Sequence, residues 1–230
     1  MKLCLRLRLS GLLVAFLVFA CLFAPFTSEA AAETRHAELC YQEDGKDVSR
    51  GGEAMLAGKK ARLDARLGKA GQFTLLVDKE AGKMQLLSHR LKGYVESKVD
   101  GNAQSWRDIV RSASAMLMPQ TLGMVSFEEK SCIEQGRELV QGYEAVKSRC
   151  VFTLGFMGSY RTITMDVWEN PAFAPFPLKV SVIGDKDTHG VEVWFENVQP
   201  AKDDVSFLPP EGYTRFSSVL DLILYAITLN

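Results

Sequence analysis

Along most of the chain, apolar and polar residues take turns. In "KKARLDARLGKAG", Leu63, Ala65 and Leu67 fall on one side of a two-residue period, and Arg62, Asp64 and Arg66 on the other. "GQFTLLVD" sets Phe73, Leu75 and Val77 together, and "KMQLLS" does so with Met84 and Leu86. The pattern resumes in "EAVKSRCVFTLG" with Val146, Cys150, Phe152 and Leu154, and in "YRTITMDVW" with Ile163, Met165 and Val167. It continues through Leu178, Val180 and Val182, then through Val191, Val193 and Phe195. Successive side chains of a strand point to opposite faces, so alternation broken by Gly-containing turns predicts antiparallel strands with one buried face. About nine or ten such runs, with no helices alternating between them, exclude a doubly wound α/β fold. The pattern predicts a mainly β (α+β) chain built on one large curved antiparallel sheet.

Two segments carry a helical period instead. "SWRDIVRSASAMLMP" opens with Ser105 and Asp108 in a capping-box arrangement, and Pro119 ends it. Trp106, Ile109, Val110, Ala113, Met116 and Leu117 recur at helical spacing, so a helix over 105–118 is expected to lie across the sheet. "SSVLDLILYAITLN", residues 217–230, is apolar nearly all round, with Ser218 and Asp221 as a second capping box. It is too short to span a bilayer and is expected to dock on the sheet, the other reading being a partner- or membrane-facing segment.

Residues 1–30 read as a secretory signal peptide: Lys2, Arg6 and Arg8, then an apolar run from Leu9 to Phe26, then small residues at Ser28, Ala30 and Ala32. Competing readings are an uncleaved anchor and a lipid-modified Cys21. Phe19 and the apolar residues beyond the cysteine weigh against the latter. A polar leader over 31–50, expected loosely ordered with a short helix or strand near Cys40, and a main domain over 51–216 complete the expected organisation. With residues 1–30 removed, the 27 basic and 28 acidic residues of the chain become 24 and 27. That balance, without any basic patch interleaved with aromatics, argues against nucleic-acid binding. Nothing after the signal is long enough to span a bilayer as a helix.

An exported protein meets an oxidising compartment, where Cys40, Cys132 and Cys150 permit one disulfide. A hairpin turn around Gln141-Gly142 sets Cys132 opposite Val151 with two loop residues and opposite Cys150 with one residue more. Cys132–Cys150 is the favoured pair; buried thiols are the alternative.

The chemistry of catalysis is thinly represented. His36 lies in the leader, His189 in the "GDKDTHG" turn, and His89 points outward beside Arg90 and Lys92, where it reads as a surface residue. No H-x-x-x-H or C-x-x-C pair suggests a metal, and no Gly-rich phosphate loop suggests a cofactor. No G-x-S-x-G or S-x-x-K sits in a strand–turn–helix context. A non-enzyme without cofactor or metal is expected. Trp168 and Trp194 fall on the polar faces of their strands, which suggests aromatics exposed for a protein partner.

The order of these features resembles the LolA-like superfamily, the outer-membrane lipoprotein carriers and their relatives, and within it the uncharacterised exported families. The resemblance rests on four stretches between about residues 50 and 216. They are "GEAMLAGKKARLDARLGKAGQFTLLVDKEAGKMQLLSHRLKGYVE", "GRELVQGYEAVKSRCVFT", "MDVWENPAFAPFPLKVSV" and "VSFLPPEGYTRF". It implies an unclosed half-barrel around one or two helices, with a hydrophobic cavity for a lipid or lipoprotein acyl chain. The carrier's long N-terminal helix and lid-tied arginine have no counterpart that can be placed here. Alternation and family order together make Leu63, Phe73, Leu75, Leu86, Trp106, Val110, Phe152, Ile163, Met165, Val180 and Phe195 the expected lining. A cell-envelope carrier or sensor follows, with a dry-cored interaction protein for an envelope partner as the alternative.

Overall fold

A computed structural model of the chain describes residues 34–43, 47–66, 71–99, 125–156, 159–170, 177–184, 190–200 and 206–228. The expected signal peptide, the helix over 105–118 with Trp106 and Val110, and His189 lie outside the described residues.

The described strands are β1 (Arg35–Glu43), β2 (Ser49–Ala57), β3 (Lys60–Arg66), β4 (Gln72–Asp78), β5 (Lys83–Ser88) and β6 (Gly93–Lys98). Then follow β7 (Val125–Val140), β8 (Tyr143–Phe156), β9 (Ser159–Glu169), β10 (Lys179–Gly184), β11 (Gly190–Pro200) and β12 (Thr214–Phe216). One 12-stranded sheet holds them all in the order β12-β6-β5-β4-β3-β2-β1-β11-β10-β9-β8-β7. β12 pairs with β6 in parallel; every other neighbouring pair is antiparallel. Its two edges, β12 and β7, do not pair with each other, so the sheet is an open half-barrel.

The segment expected as a polar leader supplies β1, which sits between β2 and β11 inside the sheet. "RHAELCYQE" hides its alternation because Leu39 is the one large, wholly apolar residue of its inward set, Ala37 being small and Tyr41 amphipathic. The sheet therefore begins well before residue 51.

One face of the sheet carries a single apolar cluster that runs from Val95 on β6 through Leu86, Leu75, Leu63 and Ala54 to Leu39, then through Phe195, Val180, Met165 and Phe152. We call this the inner face. Helix α1 (Val219–Thr228) adds Val219 and Leu222 at the β6 end. Its N-terminus is capped as expected, the Asp221 amide donating to Ser218 Oγ at 3.0 Å and Ser218 Oγ to the Asp221 carboxylate at 2.8 Å.

On the outer face the long β7–β8 hairpin bends back over the sheet. The register of β7 against β8 shifts between Glu134 and Gly136, leaving Gln135 as a bulge, and Gly136 holds φ 121°, which a side chain would resist. Beyond the bend, Val140 packs on Ala145, Trp168 and Leu178 in a second, smaller core. The same bulge settles the cysteines. The turn at Gln141-Gly142 is the two-residue one, and the extra residue lies in the strand rather than in the loop, which places Cys132 opposite Cys150. A disulfide joins them.

Candidate functional site

Nine of the expected lining residues are described, and the topology brings them to one face. Leu63, Leu75 and Leu86 are cross-strand neighbours on β3, β4 and β5, with Phe73 two residues from Leu75. Phe152 faces Ile163, and Val180 connects through Val193 and Phe195 to β1. All but Phe73 are at most 5% exposed, and Phe73 packs against the same cluster. Among the described residues this face gathers most of the buried apolar side chains, and each buried methylene contributes about 0.8 kcal/mol.

The outer face is polar, and its open depressions lie there. One, of about 360 Å³, sits under the β7–β8 turn between Glu138–Gln141 and Trp168, Lys179, Glu192 and Trp194. Another, of about 300 Å³, lies between Arg50, Glu53, Arg62, Asp64, Arg66 and Gln72.

Trp168 corrects an expectation. It points outward, but it is only 7% exposed, because the bent hairpin covers it. Its Nε1 donates to Glu138 at 2.7 Å, and the Lys147 and Lys179 ammonium groups lie 4.8 and 5.3 Å from its ring. That hydrogen bond, with one from Lys147, holds the Glu138 carboxyl below its ordinary range. Trp194 is half-buried and donates to Glu196 at 2.7 Å. Trp168 is therefore not a free docking aromatic. Large apolar side chains that do stand exposed include Leu139 at 76%, Leu208 at 74% and Tyr160 at 70%.

Asp166 lies in the next outward row, nearly buried, and takes two hydrogen bonds from Arg149 at 2.6 and 2.7 Å. Those bonds hold its carboxyl below the usual range against the cost of burial. Cys40 is buried on β1, between β2 and β11; burial and the Glu196 carboxylate push its thiol up to about 11.

His89 points outward as its place in the alternation requires, yet it is not a solvated surface residue. Its Nε2 lies 2.7 Å from Thr74 Oγ1 and its Nδ1 lies 2.8 Å from the Tyr213 hydroxyl. Thr74 Oγ1 donates to Asp64, and Arg62 clamps Asp64 through Nε at 2.7 Å and Nη2 at 3.1 Å. Burial pushes the imidazole below its ordinary value, against the pull of Asp64. Its partners come from 15 and 124 residues away, so local sequence could not show them. The one signal was Tyr213 in the "EGYTRF" stretch of the family resemblance. Among the described residues no group of three or more His, Cys, Asp and Glu side chains is placed to hold a metal ion. No helix among them is long and apolar enough to cross a membrane, which says nothing of a β-barrel.

No family model matches the chain, and no curated protein does. Solved structures do. PNGF-II aligns over 85% of this chain with a TM-score of 0.50 at 11% identity, and the chain spans 33% of the length of that protein. The lipoprotein LppX of Mycobacterium tuberculosis aligns over 84% of this chain and 96% of its own length, at 9% identity and a TM-score of 0.31. MucB aligns over 86% of this chain and 62% of its own length, at 16% identity and a TM-score of 0.32. These likenesses concern the backbone. The fold is a mainly β, open half-barrel. A single open sheet, antiparallel except at β12, with its apolar side turned inward and its polar side outward, is what defines that architecture here.

Proposed function

We propose that the chain is an exported, non-enzymatic lipid-binding protein of the cell envelope. Its inner face shelters a lipid or lipoprotein acyl chain, as a carrier or a sensor. The observation that carries this reading is the continuity of the inner face: one apolar cluster extends across ten strands of a sheet that never closes. An acyl chain needs apolar length more than specific polar contacts, and each methylene it buries contributes about 0.8 kcal/mol. Leu63, Phe73, Leu75, Leu86, Phe152, Ile163, Met165, Val180 and Phe195 supply the described part of that surface, with Trp106 and Val110 as the proposed remainder. Residues 1–30 would direct the chain to the periplasm, where such a ligand is met.

The test is a fluorescent fatty-acid probe titrated into the purified protein. Saturable binding that competes with unlabelled fatty acid, and that weakens in Phe195→Asp, supports the reading. A protein that retains its fold and leaves the probe unbound overturns it. The alternative, a dry-cored protein that docks an envelope partner, is favoured by one observation: Leu139 and Tyr143 stand exposed at the β7–β8 turn. Partner capture lost in Leu139→Ser with Tyr143→Ser, alongside unchanged probe silence, selects that reading.

A further inference from the structure

Residues 206–228 grip the β6 side of the sheet from both faces. On the outer face Arg62 Nη1 donates to the Ser206 carbonyl at 2.9 Å, and the Tyr213 hydroxyl meets His89 Nδ1. At the edge the attachment is slight: β12 pairs with β6 over three residues, with the Thr214 amide on the Lys92 carbonyl and Arg215 on Glu96 at 3.1 Å. On the inner face Phe216, Val219 and Leu222 join the main core. Phe216 and Leu222 settle over Gly93, where a Cβ would stand 2.6 Å from Phe216 Cε2 and 2.9 Å from Leu222 Cδ1.

The hydrogen bonds at His89 have a fixed direction. Thr74 Oγ1 gives its proton to Asp64, so it accepts from His89 Nε2–H. Nδ1 is then the bare nitrogen, and the Tyr213 O–H donates to it. A second proton on the imidazole can go only to Nδ1, the position Tyr213 occupies. Facing the ring are Asp64 and Arg62 from β3 and the phenol of Tyr213; the hydroxyl of Thr74 comes from β4, and Arg90 and Lys92 share its own turn. Asp64 attracts the added charge, but Arg62 and Thr74 already engage that carboxylate. The Tyr213 ring meets the imidazole edge-on at 5.8 Å, so the segment covers the ring on its Nδ1 side.

We propose that residues 206–228 form a proton-sensitive clasp. A proton taken up at His89 Nδ1 displaces the Tyr213 hydroxyl, loosens the segment from the β6 edge and uncovers the apolar inner face at that end. The proposal rests on the lipid-binding reading only for what the opening would admit; the clasp is a property of the protein without ligand.

Hydrogen exchange read by mass spectrometry on the full chain, at about pH 7.5 and about pH 5.5 and corrected for intrinsic rates, tests it. Losing one hydrogen bond of about 1 kcal/mol is about a fivefold loss of protection, expected across 206–228 at the lower pH and absent from β8 and β9. His89→Gln keeps a side-chain donor toward Thr74 and cannot take a proton, so it should abolish the pH response. Tyr213→Phe should show the loss at both pH values. A disulfide between Tyr94→Cys and Arg215→Cys, which are register partners on β6 and β12, should hold the segment closed at both. Equal protection of the wild type at the two pH values, or a response that persists in His89→Gln, overturns the clasp. Fatty-acid probe binding is read separately: a clasp that opens on a protein that binds no probe refutes the lipid-binding reading and leaves the clasp standing.

Discussion

Trp168→Ala removes the side chain on which the outer-face hairpin rests. The indole is almost fully buried between β7 and the outward faces of β9 and β10, packed with Val140, Ala145 and Leu178. Truncating a buried tryptophan costs about 3–5 kcal/mol, and its place in a small outer core next to a bendable hairpin puts the expected loss near about 3 kcal/mol. The contacts with Lys147 and Lys179 add about 0.5–1 kcal/mol each at most. With a urea dependence of about 2 kcal/mol per molar, the unfolding midpoint should fall by about 1.5 M. Trp168→Phe keeps a ring under both lysines and should lose about 1–2 kcal/mol. Hydrogen exchange should place the Trp168→Ala damage at 136–145 while β3–β5 stay protected. A midpoint shift below about 0.3 M would mean that the hairpin does not rest on Trp168, and the reading of this residue as scaffold would fail.

Gly93→Ala sets a methyl against Phe216 and Leu222, and overpacking of this kind costs about 1–3 kcal/mol; urea unfolding should register it, with increased exchange confined to 206–228. Asp166 should contribute to acid stability. Its carboxyl is held below the ordinary range in the folded chain, so the unfolded chain binds the proton first, and stability present above about pH 4 is lost as pH falls further. Asp166→Asn should flatten that part of a urea-midpoint profile against pH. Replacing Cys132 and Cys150 together by Ala releases a cross-link between positions 18 apart and should cost about 3 kcal/mol by urea unfolding. Non-reducing peptide mapping should find those two cysteines linked, and the buried Cys40 thiol should alkylate only once the chain is unfolded.

The architecture was legible because its strands alternate cleanly wherever one face is wet. Leu63, Leu75, Leu86, Phe152, Met165 and Val180 kept the parity read from their runs, and the sheet aligned them. Legibility failed where both faces are covered or where the inward set is small. Leu76 and Leu87 are buried on the outer face of β4 and β5, a side that alternation assigns to water. β1 was expected only as a short helix or strand near Cys40, and its nine-residue length was hidden because Ala37 and Cys40 are weak marks of a strand. The bulge at Gln135 was invisible because a register shift leaves no trace in composition, although it decides which residue faces Cys132. Trp168 and His89 were assigned to the outer face correctly, but their covers, Val140 and Tyr213, arrive through a bend and a distant segment.

The most direct test of the central claim is native mass spectrometry of the protein as purified from its own export compartment, followed by solvent extraction of whatever it holds. The account predicts a mass excess matching an acyl-bearing lipid, lost on extraction and restored by adding fatty acid or lipid, and diminished in Phe195→Asp. A bare polypeptide mass that no added lipid increases would contradict it.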